Sequence, residues 1–310
     1  MNIAIIDLGT NTFNLLVAEV DDEGSYEIIE NIKTSVKLGE GCINHNYINE
    51  AAFKRGITTL KNYTHIISKH KVMKTYAYAT SGIRSAMNGN DFVAASKEIL
   101  HTDINVISGN KEAELIYRGV KLSLDIGNDS SLIMDIGGGS TEFIIADKNV
   151  IFWKKSFDLG AARLLERFKP GDPMKPEEIN AIEDYLIYEL SPLFEAIKKF
   201  PVKTLIGSSG SFDTMAEMIA HKFYSSDMID HKTEYTFHLN DYFDIHQQLI
   251  KSTRQERFNT KGILEMRVDM IVIASVFVNF ILNQCNINQM RLSTYALKEG
   301  VLGEIINGNL

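Results

Sequence analysis

Four acids stand where a carboxylate could do chemistry. Asp7 ends the apolar run Ile3-Ala4-Ile5-Ile6, and Asp135 ends Leu132-Ile133-Met134. Open α/β sheets bind ligands at the carboxyl ends of their strands. A carboxylate there can hold Mg²⁺ directly or through water. Glu142 follows a glycine turn. Glu112 sits in Ser108-Gly109-Asn110-Lys111-Glu112-Ala113-Glu114, where a short strand gives way to a helix. An acid so placed can orient or deprotonate an attacking water. It can equally do no more than complement the helix dipole.

Around these acids lie turns suited to phosphate. Gly137-Gly138-Gly139-Ser140-Thr141 strings together backbone N–H groups that can cradle oxygens, and glycine permits close approach. A strand follows and Gly-Lys-Ser/Thr is absent, so this is neither a dinucleotide fingerprint nor a P-loop. A single such turn could also be only a tight hairpin. Arg84, in Thr80-Ser81-Gly82-Ile83-Arg84, follows another strand and offers a fork for phosphate oxygens. Ser209 and Gly210 belong to Gly207-Ser208-Ser209-Gly210-Ser211, which joins strand to helix. That turn reads as a further phosphate site or as a plain helix cap.

A repeat raises the weight of these turns. The run 5–18 matches 133–146 without a gap. Asp7 thereby corresponds to Asp135, Gly9-Thr10-Asn11-Thr12 to Gly137-Gly138-Gly139-Ser140, and Asn14 to Glu142. Such a repeat predicts two α/β lobes on one plan. Folded face to face, the duplicated β-hairpin loops would form a two-sided phosphate clamp. The turn-rich stretch Asp125–Ser130 divides residues 1–125 from 126–310. The patterning predicts helices over 49–70, 111–124 and 270–282 and strands over 72–79, 150–157 and 203–206. A last helix from about residue 295 can pack back on the first lobe. His238 and His246 read as surface residues, and no histidine shows metal spacing.

Bulk properties narrow the class. A net charge of −8 with no basic run argues against nucleic-acid binding. Two distant cysteines, Cys42 and Cys285, suggest a reducing compartment. The N-terminal residues lack the features of a signal peptide. The longest apolar stretch is too short for a bilayer. The expectation is a cytoplasmic protein without membrane contact.

The stretches Ile5–Val17, Tyr78–Ala86, Val106–Val120, Leu132–Ile145, Leu205–Met215 and Arg291–Leu302 resemble, in order, the exopolyphosphatase / guanosine pentaphosphate phosphohydrolase family. The resemblance spans nearly the whole chain. It implies two actin-like (ribonuclease H-like) lobes with a cleft between them, a divalent cation such as Mg²⁺, and polyphosphate or guanosine pentaphosphate as substrate. A homodimer is the family's expectation. By the same resemblance Glu112 is the water-activating residue, with Asp135 and Glu142 as its catalytic acids. Asp7, Asp135 and Glu142 are metal candidates. Gly9 to Thr12, Arg84, Gly137 to Thr141, Ser209 and Gly210 are phosphate-binding. Two departures stand out: Lys111 replaces a common acid, and Leu297-Lys298-Glu299-Gly300 stands where Leu-Arg-Glu-Gly is usual. The chain stops where the two-lobe core ends, without the helical extension of longer members, so long-chain processivity and a guanosine pentaphosphate preference are not implied. An ATP-dependent kinase of the same superfamily and a non-catalytic polyphosphate or alarmone binder are the alternatives.

Overall fold

The computed structural model describes residues 1–21 and 23–310, apart from the side chain of Ser226. One sheet contains β1 (Asn2–Leu8), β2 (Thr12–Val20), β3 (Tyr26–Ser35), β4 (Lys74–Ala79) and β5 (Ile104–Val106), in the order β3-β2-β1-β4-β5. The other contains β6 (Ser131–Ile136), β7 (Thr141–Ala146), β8 (Ile151–Phe157), β9 (Thr204–Ser208), β10 (Glu234–Phe237) and β11 (Gln289–Ser293), in the order β10-β11-β9-β6-β7-β8. The plan repeats. β1 pairs antiparallel with β2 and parallel with β4. β6 pairs antiparallel with β7 and parallel with β9. Asp7 lies opposite Asn14, and Asp135 lies opposite Glu142.

The helices are α1 (Glu50–Lys69), α2 (Ser81–Arg84), α3 (Gly89–Leu100), α4 (Gly109–Ser123), α5 (Ala161–Phe168), α6 (Pro176–Glu189), α7 (Ser191–Lys199), α8 (Gly210–Phe223), α9 (Leu239–Lys251), α10 (Arg254–Phe258), α11 (Ile271–Gln284) and α12 (Leu297–Ile306). Local chemistry sets several of their starts. Asn49 accepts from Ala52 N–H, Ser108 accepts from Lys111 N–H, and Pro176 opens α6.

Both inner hairpins are covered on two faces, so their strands read as continuous apolar runs. Ile3 and Ile5 point into a core between the sheets, while Ala4, Ile6 and Leu8 point into an outer one with α1 and α3. In the second half Ile133 faces the shared core, and Leu132, Met134 and Ile136 face a large outer core with α11. α4 and α12 form the middle layer: α4 packs on β7 and β8, and α12 packs on β1 and β2. Their contact is backbone to backbone. A Cβ on Gly300 would lie 1.8 Å from Leu115 O, and one on Gly119 would lie 2.0 Å from Ala296 O.

His246 departs from the sequence expectation. It is buried on α9, where its Nδ1 lies 2.8 Å from Ser275 Oγ, and burial lowers its pKa to about 4. It falls on the inner face of α9 with Tyr242 and Leu249, a position that helical periodicity over 242–249 marks. Cys42 and Cys285 are both free thiols. Among the described residues no helix is long and apolar enough to cross a membrane.

Candidate active site

The two glycine-bearing loops face each other across one cavity of about 120 Å³. A Cβ on Gly139 would lie 2.5 Å from Thr10 Oγ1, and one on Gly138 would lie 3.0 Å from Asn11 Cβ. Each loop is held from behind through its carbonyls. In the first, Asn11 O accepts from Val36 N–H at 2.9 Å and Lys37 N–H at 2.8 Å, and Thr10 O accepts from Gly39 N–H. In the second, the start of α5 supplies the donors. Ala161 N–H reaches Gly137 O at 2.9 Å, Ala162 N–H reaches Gly138 O at 3.0 Å, and Gly160 N–H reaches Gly139 O at 3.3 Å. Helix N-termini carry orphan amides, and these are spent on the loop. The amides of Thr10, Asn11, Gly138 and Gly139 meet no acceptor among the described residues. Three buried side-chain atoms on the cavity wall also lack partners: Asn11 Nδ2, Thr12 Oγ1 and Ser81 Oγ. Such groups are rare in a folded interior and call for a ligand or water.

Five carboxylates line the cavity: the four singled out from the sequence, Asp7, Glu112, Asp135 and Glu142, and also Asp213. Asp7 Oδ2 accepts from Asn14 Nδ2 at 2.8 Å, and Asp135 Oδ2 accepts from Ser208 Oγ at 2.9 Å. Glu142 Oε1 accepts from Ser140 Oγ at 2.8 Å and Ser156 Oγ at 2.6 Å. Glu112, in the first turn of α4, takes a 2.8 Å ion pair from Arg84 Nη1 on its Oε2. Burial pushes Asp7 and Asp135 up to about 6. It pushes Glu112 to about 7 against the opposing pull of Arg84. Glu142 rises well above the carboxylate range through burial and its negative neighbours. Perturbed acids gathered in a cleft are a mark of a functional site.

The Ppx/GppA phosphatase family pattern matches residues 16–308. This chain belongs to that family. A putative exopolyphosphatase from Haemophilus influenzae is 29% identical over 300 residues, covering 97% of this chain and 90% of the relative. The crystal structure of an exopolyphosphatase from Cytophaga hutchinsonii superposes with a TM-score of 0.96 at 39% identity, covering 99% of this chain and 98% of that one. A Ppx/GppA family member from Aquifex aeolicus gives 0.81 at 25% identity, covering 100% and 99%. The actin-like two-lobe architecture of the Ppx/GppA proteins is thus the architecture here.

Most of the residues singled out from this Ppx/GppA sequence line the cavity: Gly9 to Thr12, Gly137 to Ser140, Ser209 and Gly210 join the four acids. Two do not. Thr141 is fully buried and donates its hydroxyl to Leu159 O at 3.0 Å, because a strand sends alternate side chains to opposite faces. Arg84 lies behind Glu112, bonded to Ile107 O and to Glu112 itself, and so holds the acid. Ser209 Oγ is likewise committed, donating to Ile136 O at 3.1 Å.

Three cavity cations escaped the sequence reading: Lys33, Arg267 and Lys298. Lys298 lay within the closing motif and pairs with Glu299 at 2.6 Å. Lys33 sits in a strand of alternating exposure that reads as solvated, and Arg267 ends a single 3-10 turn, Glu265–Arg267. Neither carries a local signal. Arg163 was also missed. It bonds Gly139 O through Nε and Ile43 O through Nη1, both at 3.0 Å, and so ties the second loop to the first lobe. Its one signal was a cation in the first turn of a helix, where the dipole disfavours it.

Proposed function

We propose that this chain is an exopolyphosphatase that hydrolyses the terminal phosphoric anhydride bond of inorganic polyphosphate and releases orthophosphate. The observation that carries this is the pair of facing loops, with partnerless donors on both sides and Glu112 on the same wall. A single anion-binding loop suits many ligands. Two loops that line one cavity suit a chain whose oxygens project on both sides. The names of the relatives from Haemophilus and Cytophaga support the substrate. Guanosine pentaphosphate offers the same terminal anhydride and is the second substrate in this reading.

Phosphoryl transfer asks mainly for positioning and charge neutralisation. The loop amides hold the phosphate oxygens, and Lys298 and Arg267 supply positive charge. Arg84 engages Glu112 Oε2, leaving Oε1 to take a hydrogen bond from water. Glu112 accepts a proton as the water oxygen bonds to phosphorus and the bridging oxygen leaves with the shortened chain. A carboxyl near 7 is suited to that exchange at neutral pH.

The same acids bear on a metal. No three carboxylate, histidine or cysteine side chains converge as a ready-made shell among the described residues. The hard oxygen donors fit Mg²⁺ in its other mode, with one or two carboxylates and a shell completed by water and substrate phosphate. Asp7, Asp135 and Glu142 are the candidates to hold it. When bound, the ion would offset negative charge on the phosphates.

Orthophosphate release from polyphosphate, with Mg²⁺ and no acceptor, tests the reading. Glu112→Gln should bind polyphosphate with nearly unchanged affinity and turn over about a hundredfold more slowly, or worse. Undiminished release by that variant would remove Glu112 from the mechanism. No release by the parent would remove the function.

A further inference from the structure

Beside the phosphate cavity lies a second one of about 510 Å³, roughly four times larger. The two share Lys33, Gly210, Asp213, Arg267 and Thr294, so they meet at one wall. An ion pair crosses that wall. Lys33 Nζ, on β3 of the first sheet, lies 2.8 Å from Asp213 Oδ2, in the first turn of α8. The other oxygen, Asp213 Oδ1, is buried without a hydrogen-bond partner. Beyond the pair the larger cavity presents another carboxylate, Glu217, apolar groups from Ile263, Leu264 and Met266, and the polar side chains of Asn31 and His221, with Arg267 on the shared wall. A bare phosphate chain has no donor for those carboxylates and no apolar surface for those apolar side chains.

Building on the polyphosphate reading, we propose that Asp213, held by Lys33, is a length-selecting gate between the cleft and the side cavity. Short chains sit wholly on the cleft side. A longer chain that runs on into the side cavity must separate Lys33 from Asp213 and pass two carboxylates. A partly exposed ion pair contributes little to stability, so the gate opens without unfolding either lobe. Selection comes from repulsion between carboxylate and phosphate, which grows as water is excluded. Asp213 therefore sets specificity and takes no part in the chemistry.

The test is calorimetric binding in the Glu112→Gln background, comparing triphosphate with chains of several tens of phosphates. Asp213→Asn removes the repelling charge and frees Lys33 for the chain. The ratio of long-chain to triphosphate affinity should rise about fivefold or more. Asp213→Ser, with the same expected direction, replaces the Asn variant if that one misfolds. A smaller rise, or a fall, overturns the gate while leaving polyphosphate binding in place. Binding of neither chain by the Glu112→Gln protein removes both the gate and the function on which it rests.

Discussion

Burial and Arg84 act on Glu112 in opposite directions, and the balance sets when it can work. Burial favours the neutral acid, and the guanidinium at 2.8 Å favours the carboxylate. A general base acts in its deprotonated form. Activity governed by kcat/KM should therefore rise with pH through a value near 7. Arg84→Met removes the cation that lowers this pKa, so the rising limb should move to higher pH by about 1 unit. Arg84→Lys keeps the charge and should largely restore the limb. A pH profile of kcat/KM for the three proteins checks this, and a shift to lower pH would contradict it. At this scale the sequence was informative where a motif repeats or where strand becomes helix, as at Asp7, Asp135 and Glu112. It was silent for Lys33 and Arg267, whose neighbours in the chain have nothing to do with their neighbours in space.

At the scale of elements, the phosphate loops are rigid because other segments satisfy their carbonyls. α5 begins against the second loop, and a Cβ on Gly160 would lie 2.3 Å from the Gly138 carbonyl. The middle layer follows the same logic. α4 carries Glu112 at its start, so the seat of α4 on α12 fixes where that acid points. Gly300→Ala would place a methyl group against Leu115 O, where no flexible side chain can yield. Urea denaturation should show a loss of about 1–3 kcal/mol. Unchanged stability would mean that the two helices separate freely. Most strands, the hairpin turns and the start of α6 at Pro176 were legible locally, while β10 was not. The pairing of α4 with α12 was not, since it joins segments some 180 residues apart through glycines that carry no periodic signal.

At the scale of the molecule, four acids from both lobes share one buried space, and that arrangement costs stability. Asp7 and Asp135 rise from 3.8 to about 6, and Glu112 rises from 4.5 to about 7. Across roughly pH 4 to 7 the folded protein therefore holds protons that the unfolded chain has released. With the unfolded state binding fewer protons, the unfolding free energy falls as pH rises through this window. His246, lowered to about 4 from 6.5, acts in the opposite sense between those values. The contribution of one acid is isolated by comparison with Asp7→Asn. Relative to the parent, that variant should gain about 1–3 kcal/mol between about pH 5 and pH 7.5 in the absence of divalent cations. Denaturation at several pH values measures it, and a constant difference would show that Asp7 titrates normally.

The sequence by itself determined the plan: a duplicated strand-turn-strand unit, an acid at the end of each first strand, and a glutamate where a strand turns into α4. These depend on interactions between residues near one another in the chain, which spacing records. Only the tertiary structure decided that Thr141 turns inward, that Arg84 serves Glu112, and that Lys33 meets Asp213 from the opposite sheet. Those outcomes depend on how two sheets and their shared helices pack. Burial and the direction of a side chain come into being there, and no local pattern encodes them.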